Sequence, residues 1–525
     1  MKIYEFPDEL NEIRDFLSKL VSALENGYEK SLYAFAYVEN LEQQAIHITQ
    51  TESLNQRFDR GIVLRIFASD KNFEYSSNIF NKDILLKKAE ELKKQAVKYI
   101  NDNNIKNSYK PLCWDEEDID SLHPLIKSQL PNAPDNKTKV HFGTPYDPEY
   151  PLNFNIKNMS GFARDTRKKI LKMSNGYIPQ AGVLLRQKVK TKIFVDRCKN
   201  MSQSLVSSLY YLFSFSKKGI SPRKVIGGMA GFEIGKNIGD KEIKYLCEMA
   251  KKLDNAENIK PGRYKIITGP DVTGVIAHEA FGHTQEGDTC RLDRSCAPGL
   301  KKQGTKVGND MATIINNAAV FSMAEKSFGP NGSHFFDDEG QLARTHTILD
   351  NGYLGTPMND LISAQLGDMN GKTPRQSNGK RESWRRPLIP RQTNTYFTPG
   401  DKTKEQLISI ADDGFIAEHA YGGMEDPKGM GLTAGTEYLQ EIKNGKLTGK
   451  VFLGPKGGHI ELSDPVPLLL KGIIAKSKVI DDYAGDLAKQ PIPVNKWGGC
   501  GKYHKELVET GAGGPWILWE GINCG

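Results

Sequence analysis

The clearest hydrophobic pattern lies near the N-terminus, where Leu10, Ile13, Leu17, Leu20, Val21 and Leu24 recur at helical spacing within Glu9 to Glu25. Steps of three and four residues put them on one stripe, which predicts an amphipathic helix. Tyr33, Phe35 and Tyr37 then alternate with smaller residues, and Ile62, Leu64 and Ile66 do the same. A period of two predicts strands. From Asn81 to about Ile100 a lysine-rich stretch keeps Leu85, Ala89, Leu92 and Ala96 on one face. It predicts a second helix, with its lysines as a solvated face.

Asn101 to Pro151 is rich in Asp, Asn and Pro and reads as a linker or surface insertion. A second mixed segment starts at Leu152 and runs to about Lys218, and the cluster Gly227-Gly228-Met229-Ala230-Gly231 marks a boundary. That cluster lacks the Gly-Lys-Ser/Thr ending of a phosphate loop. Beyond Asp240, Ile243, Leu246, Cys247, Ala250 and Leu253 predict a capped helix, with Cys247 in its core stripe rather than at a metal. The final half is strand-rich, and Asp350-Asn351-Gly352 and Lys443-Asn444-Gly445 are hairpin signals between apolar runs. The expected division is therefore 1–100, an N-terminal α/β domain; 101–151, a linker or insertion; 152–225, a middle α/β segment; and 226–525, a C-terminal β-rich domain.

Composition narrows the class. A chain of 525 residues can build two to four domains, each with its own core. It has no run of about 18 apolar residues, so no membrane span is expected. The start, Met1-Lys2-Ile3-Tyr4-Glu5-Phe6, turns acidic by Asp8 and Glu9, which argues against a secretory signal. Seven cysteines without paired spacing point to a reducing cytoplasm rather than a disulfide framework. A net charge of +7 is small for this length and argues against a nucleic-acid partner.

The chemistry concentrates in Val275-Ile276-Ala277-His278-Glu279-Ala280-Phe281-Gly282-His283, followed by Glu286 and Asp288. Two imidazoles suit a divalent metal such as zinc, and a carboxylate beside the first can take a proton from water held there. Histidines four apart lie about 40° apart around an α-helix, whereas five apart lie about 140° apart. An undistorted helix would not aim both at one ion. Either the helix carries a π-bulge, or it ends near Gly282 and the next turn swings His283 back. The plainer alternative is a pair of hydrogen-bonded histidines with no metal. Upstream, Arg263-Tyr264-Lys265-Ile266-Ile267 reads as a strand, Gly269-Pro270 as a turn, and Asp271 or Thr273 as the helix N-cap.

A catalytic zinc takes three protein ligands. Glu286, Asp288, another histidine or a cysteine could supply the third. Cys500 stands out within Trp497-Gly498-Gly499-Cys500-Gly501-Lys502, because its flanking glycines allow close approach and Lys502 favours a thiolate. A buried free thiol in a Gly-rich turn fits that setting equally well.

Several motifs in order resemble the TldD/PmbA family of metallopeptidases, in its metal-bearing TldD form. They are Arg60-Gly61-Ile62-Val63-Leu64-Arg65, the His278–His283 block with Glu286-Gly287-Asp288, and Asp337-Asp338-Glu339-Gly340 with Leu349-Asp350-Asn351-Gly352. Gly379-Lys380-Arg381-Glu382-Ser383, Pro390-Arg391-Gln392-Thr393-Asn394-Thr395-Tyr396 and Cys500-Gly501-Lys502 complete the set. The stretch 101–151 looks longer than the family's, and the tail Trp516 to Gly525 departs from its pattern. The resemblance implies an α+β fold, with an N-terminal α/β region and a C-terminal β-rich domain carrying the metal helix. It implies one zinc per chain held by His278, His283 and Cys500, with Glu279 as general base for hydrolysis of unfolded peptides in the cytoplasm. It also implies a dimer, with itself or with a metal-free paralogue. Arg381 or Arg391 would stabilise an oxyanion, bind a substrate carboxylate, or form a structural ion pair. The competing class is a non-catalytic peptide-binding or regulatory subunit, including a gyrase-modulator-like role.

Overall fold

A computed structural model describes residues 2–147, 155–292, 302–321, 329–367, 375–426, 431–478, 498–502 and 506–525. The alternating segments near the N-terminus form long strands, Tyr33–Ile48 and Glu52–Ala68. They join one sheet with Lys71–Ser77, Gln180–Val195 and Asn200–Phe215, and these strands pair antiparallel to one another. Tyr33, Phe35 and Tyr37 point to one face and Ala34, Ala36 and Val38 to the other. The Ala34 face is covered by the helices Asn11–Glu25 and Lys82–Asp102. Leu17, Leu20 and Leu24 are fully buried there, each contributing about 1.5–3 kcal/mol. The Tyr33 face packs on Ala318, Phe335, Phe336 and Trp384 of the C-terminal half. Both faces are therefore dry, and the Trp384 ring lies so close to Gly61 that a Cβ there would fall 2.0 Å from it.

Two further sheets build the C-terminal region. One contains Lys446–Leu453, Gly431–Lys443, Gly414–Asp426, Gly262–Thr268 and Ile517–Cys524 in that order. The other runs Thr345–Asp350, Ile314–Asn317, Asn394–Phe397, Val508–Gly513 and Gly498–Cys500. Between them lies the helix Pro270–Ile276, whose Val272 and Ile276 join a core with Ile314, Phe397, Leu432 and Trp519. The fold is α+β, with a β-rich C-terminal region carrying the histidine helix. Both hairpin signals form two-residue turns, with Asn351 and Gly352, and Asn444 and Gly445, at positive φ. Cys247 is buried among Ile243, Leu246 and Ala250.

At four places the structure corrects or adds to what the sequence showed. The stretch 101–151 buries Trp114, Leu125, Ile126, Val140 and Phe142, and its strand Lys139–Gly143 pairs parallel with Asn200–Phe215. Its apolar residues are too scattered to show a period; residues 148–151 lie outside the described residues. The tail forms Ile517–Cys524, an inner strand with Trp519 fully buried. Cys113 and Cys198, 85 residues apart, pair as a disulfide that no local spacing foreshadows. The helix after Gly269 starts on Pro270, so neither Asp271 nor Thr273 caps it: Asp271 accepts from the Ala420 amide and Thr273 bonds Thr268. Among the described residues no helix is long and apolar enough to cross a membrane.

Candidate metal centre

Strand Gly262–Thr268 delivers the chain to Gly269 and Pro270, where a short α-helix begins. Pro is tolerated at a first helical turn because its missing N–H had no partner to lose. Gly274 lets this helix press against the neighbouring sheet: a Cβ would stand 2.3 Å from the Gly513 amide. From Ala277 to Gly282 the backbone is π-helical, and the His283 N–H donates to the His278 carbonyl. Closing the ring at five residues rather than four puts both histidines on one side. Of the two routes left open by the spacing, the chain takes the π-bulge.

Gln392 braces this turn. Its Nε2 donates to the His278 carbonyl at 3.1 Å, and its Oε1 accepts from Thr395 Oγ1 at 2.7 Å. It packs where a side chain on residue 282 would be, since a Cβ on Gly282 would lie 1.8 Å from Oε1. Only glycine fits there without displacing the brace.

The His278 and His283 rings lie 4.7 Å apart, nearly perpendicular. Cys500, at the end of strand Gly498–Cys500, places Sγ 3.1 Å from His283 Nε2. One ligand atom from each of the three lies within 4.8 Å of the others. Bonds of about 2.0–2.3 Å would set tetrahedral ligands about 3.3–3.8 Å apart, so small side-chain adjustments suit zinc. His278 Nδ1 is buried without a hydrogen-bond partner among the described residues, as expected of a nitrogen kept for something else. The donor set, two imidazoles and a thiol, fits zinc with a position left for water.

The electrostatics favour a cation. Burial alone would push the Cys500 thiol up, but His283 and His278 bring it down to about 5. Burial opposes charge on His283, yet Cys500 and Glu286 outweigh it and hold its affinity for a proton well above the usual value. Lys502, credited from the sequence with favouring the thiolate, instead pairs with Glu286 at 2.8 Å and Asp288 at 2.6 Å.

Glu286 is not in the ligand cluster. Its Oε2 lies 3.3 Å from His283 Nδ1 and its Oε1 accepts from the Gln392 amide. Burial would raise its carboxyl, but Lys502, His283 and Arg391 hold it far below the usual range. It can thus fix the His283 ring through the nitrogen facing away from Cys500. Glu279 extends its Oε2 to 3.8 Å from His283 Nε2, beside the ligand atoms, and keeps 16% of its side chain exposed. A carboxylate there can reach a water at the centre.

Both arginines singled out in the sequence are walled off. Arg381 pairs with Glu74 of the N-terminal sheet and donates to the Arg386 carbonyl. Arg391 sits between Glu286 and Glu382 and donates to the Cys500 carbonyl at 2.8 Å. With side chains fully buried, both hold structure rather than substrate. Of the remaining cysteines, Cys247, Cys290 and Cys524 are buried away from this cluster, and Cys296 lies outside the described residues.

The sequence reading missed Glu425 and the bracing role of Gln392. Glu425, on strand Gly414–Asp426, keeps Oε1 buried without a partner among the described residues. Burial pushes its carboxyl up to about 7, with Glu286 and Glu279 adding to the effect and His283 and Lys502 opposing it. Nothing in its local sequence marks it. Gln392 lies in a motif already noted, 114 residues from the carbonyl it holds.

Comparison with known proteins gives a consistent result. The profile of the PmbA/TldA metallopeptidase C-terminal domain matches residues 261–522. A metalloprotease of Methanocaldococcus jannaschii is 26% identical over 460 residues, 86% of this chain and 90% of that protein. A zinc metalloprotease TldD homologue of Saccharolobus solfataricus is 30% identical over 188 residues, 35% of this chain and 39% of that protein. The crystal structure of TldE from Thermococcus kodakarensis superposes with a TM-score of 0.64 at 14% identity, covering 98% of this chain and 99% of that one. At that identity the likeness speaks for the fold.

Proposed function

Since this chain belongs to the TldD/PmbA family of metallopeptidases, we propose that it is a zinc-dependent peptidase acting on unfolded peptides or peptide segments. His278, His283 and Cys500 hold one zinc per chain, and Glu279 is the general base. Zinc bound there would activate water and polarise the scissile carbonyl. The observation that carries the reading is the π turn, which turns His278 and His283 to the same side as the Cys500 thiol.

Glu279 takes a proton from the attacking water and returns it to the leaving amine. Glu286 orients the His283 ring, and Lys502 and Arg391 compensate the charge of Glu286 so that it stays ionised in a buried place. Arg391 and Gln392 tie the two sources of ligands together, one through the Cys500 carbonyl and the other through the His278 carbonyl. A metal-free regulatory subunit would have no use for a thiol set beside two imidazoles. We further place the active form as a dimer, with itself or with a metal-free paralogue.

Metal analysis of the purified chain with cleavage of an unstructured fluorogenic peptide tests this. About one zinc per chain is expected, with cleavage abolished by a chelator and restored by zinc. A zinc-free preparation that cleaves at full rate would sink the assignment.

A further inference from the structure

Behind the strand pair that carries Cys500 lies a basic cavity. Alternation along Gln180–Val195 sends Lys188, Lys190 and Lys192 to the same face as Phe194, which packs on the C-terminal half. Lys380, Asn331 and Glu509 close the cavity from that half. It offers about 40 Å³ to water-sized groups. One water needs on the order of 10–15 Å³ by that measure, so a carboxylate fits.

The three lysines of this strand are each paired with a carboxylate. Glu509 accepts from Lys188 at 2.9 Å and from Lys190 at 2.8 Å, and Asp338 accepts from Lys192. Lys380 donates to the Glu509 main-chain carbonyl at 2.9 Å, and among the described residues no carboxylate pairs with it. Burial, then Lys192, pushes the Lys380 ammonium down to about 7, with Glu509 and Asp338 opposing. Asn331 is 4% exposed, and both its Oδ1 and its Nδ2 lack a partner among the described residues. A buried amide unpaired at both ends is rare in a native structure and asks for a ligand that donates and accepts.

One chemical group meets all of this. The last residue of a peptide carries an α-carboxylate for the ammonium groups and, in its amide, an N–H for Asn331 Oδ1 and a carbonyl for Nδ2. Inorganic phosphate supplies the charge without the amide. Glu509 stands opposite Gly499 in the strand pairing, one position from the Cys500–Val508 pair, and alternation turns it away from the face that Cys500 uses. The cavity is therefore separate from the metal centre yet attached to the same two-stranded ribbon.

We propose that this cavity is an exosite for the C-terminal carboxylate of a peptide, a proposal that rests on the peptidase reading above. Peptides with a free C-terminus would be held there while chain elsewhere reaches the metal.

The test uses the full chain carrying Glu279→Gln, so that bound peptide is not consumed. Fluorescence anisotropy compares one unstructured peptide with a free C-terminus against the same peptide amidated. The free acid should bind about tenfold tighter, as for loss of one charged hydrogen-bonded group. Lys380→Met and, independently, Asn331→Leu should bring that ratio close to one; zinc content and melting temperature identify a variant that has not folded. Equal affinities for acid and amide overturn the proposal, as does a ratio that survives both substitutions. Inorganic phosphate that stabilises the protein while acid and amide bind alike also overturns it, leaving a small-anion site. Failure of the peptidase reading looks different: no zinc, or no cleavage of the amidated peptide by the unsubstituted chain.

Discussion

Gly282→Ala strikes the one place where the π turn has no room. An ideal Cβ lies 1.8 Å from Gln392 Oε1, 2.3 Å from Cδ and 2.7 Å from Nε2. All three atoms end one side chain, so the clash is relieved when Gln392 swings away. That movement breaks the bonds to the His278 carbonyl and from Thr395 Oγ1. At about 0.5–1.5 kcal/mol each, the cost is about 1–3 kcal/mol. Alanine also prefers a regular α-turn, in which histidines five apart diverge. If the metal-free chain can relax to that turn, the cost falls on the zinc-bound state. Zinc affinity should then drop by about 5- to 150-fold, at 1.36 kcal/mol per tenfold. Competition against a chromophoric zinc chelator at neutral pH reads the affinity, and circular dichroism checks that the fold persists. Gln392→Ala alone removes the same two bonds and should reproduce most of the loss, so the two substitutions together should cost less than the sum of each. Unchanged zinc affinity in folded Gly282→Ala would refute the argument that this turn sets the histidines.

What the sequence made legible was local. The stripe of Leu10, Ile13, Leu17, Leu20, Val21 and Leu24 becomes the inner face of the helix and the turn before it, buried except for a half-buried Ile13, because a 3.6-residue period reports burial directly. The five-residue histidine spacing already required a distortion, and the glycine before His283 marked where it occurs. Partners remote in sequence left no such trace. Gln392 holds His278, Arg391 holds Cys500, and Arg381 meets Glu74, 307 residues away. A periodicity records which face of an element is buried, not what covers it. Glu425 and the Cys113–Cys198 pair were hidden for that reason. So was the packing of 101–151, whose buried residues Trp114, Leu125 and Phe142 sit singly among polar ones.

Four further outcomes are expected. Cys500→Ser should lose most of its zinc by elemental analysis, since an alcohol is a poor substitute for a thiolate, while alanine at Cys247, Cys290 or Cys524 should keep it. Static light scattering should give a dimeric mass for the active protein; an active monomer at working concentration would rule out the proposed dimer. His346 is held neutral, pushed down to about 4 by burial, with Nε2 against the Thr356 carbonyl at 2.5 Å. The unfolded chain takes the proton more readily, so this stabilisation is present above about pH 6.5 and is lost as pH falls toward 4. It amounts to about 2–3 kcal/mol near pH 4.5, and His346→Gln should flatten the fall in denaturant midpoint between pH 7 and 4.5 relative to the unsubstituted chain. The last outcome separates binding from chemistry. Glu279→Gln keeps the side-chain shape and leaves His278, His283 and Cys500 untouched, so zinc content and melting temperature should match the parent. What it removes is the carboxylate that accepts the proton, a contribution of about 10²- to 10⁴-fold in rate. Peptide affinity should persist, because an extended chain is recognised largely through main-chain hydrogen bonds. Loss of zinc in this variant would make Glu279 a ligand or a scaffold residue. Cleavage near the parent rate would move the base elsewhere, and Glu425, a buried carboxyl beside the same centre held near neutrality, would be the group to substitute next.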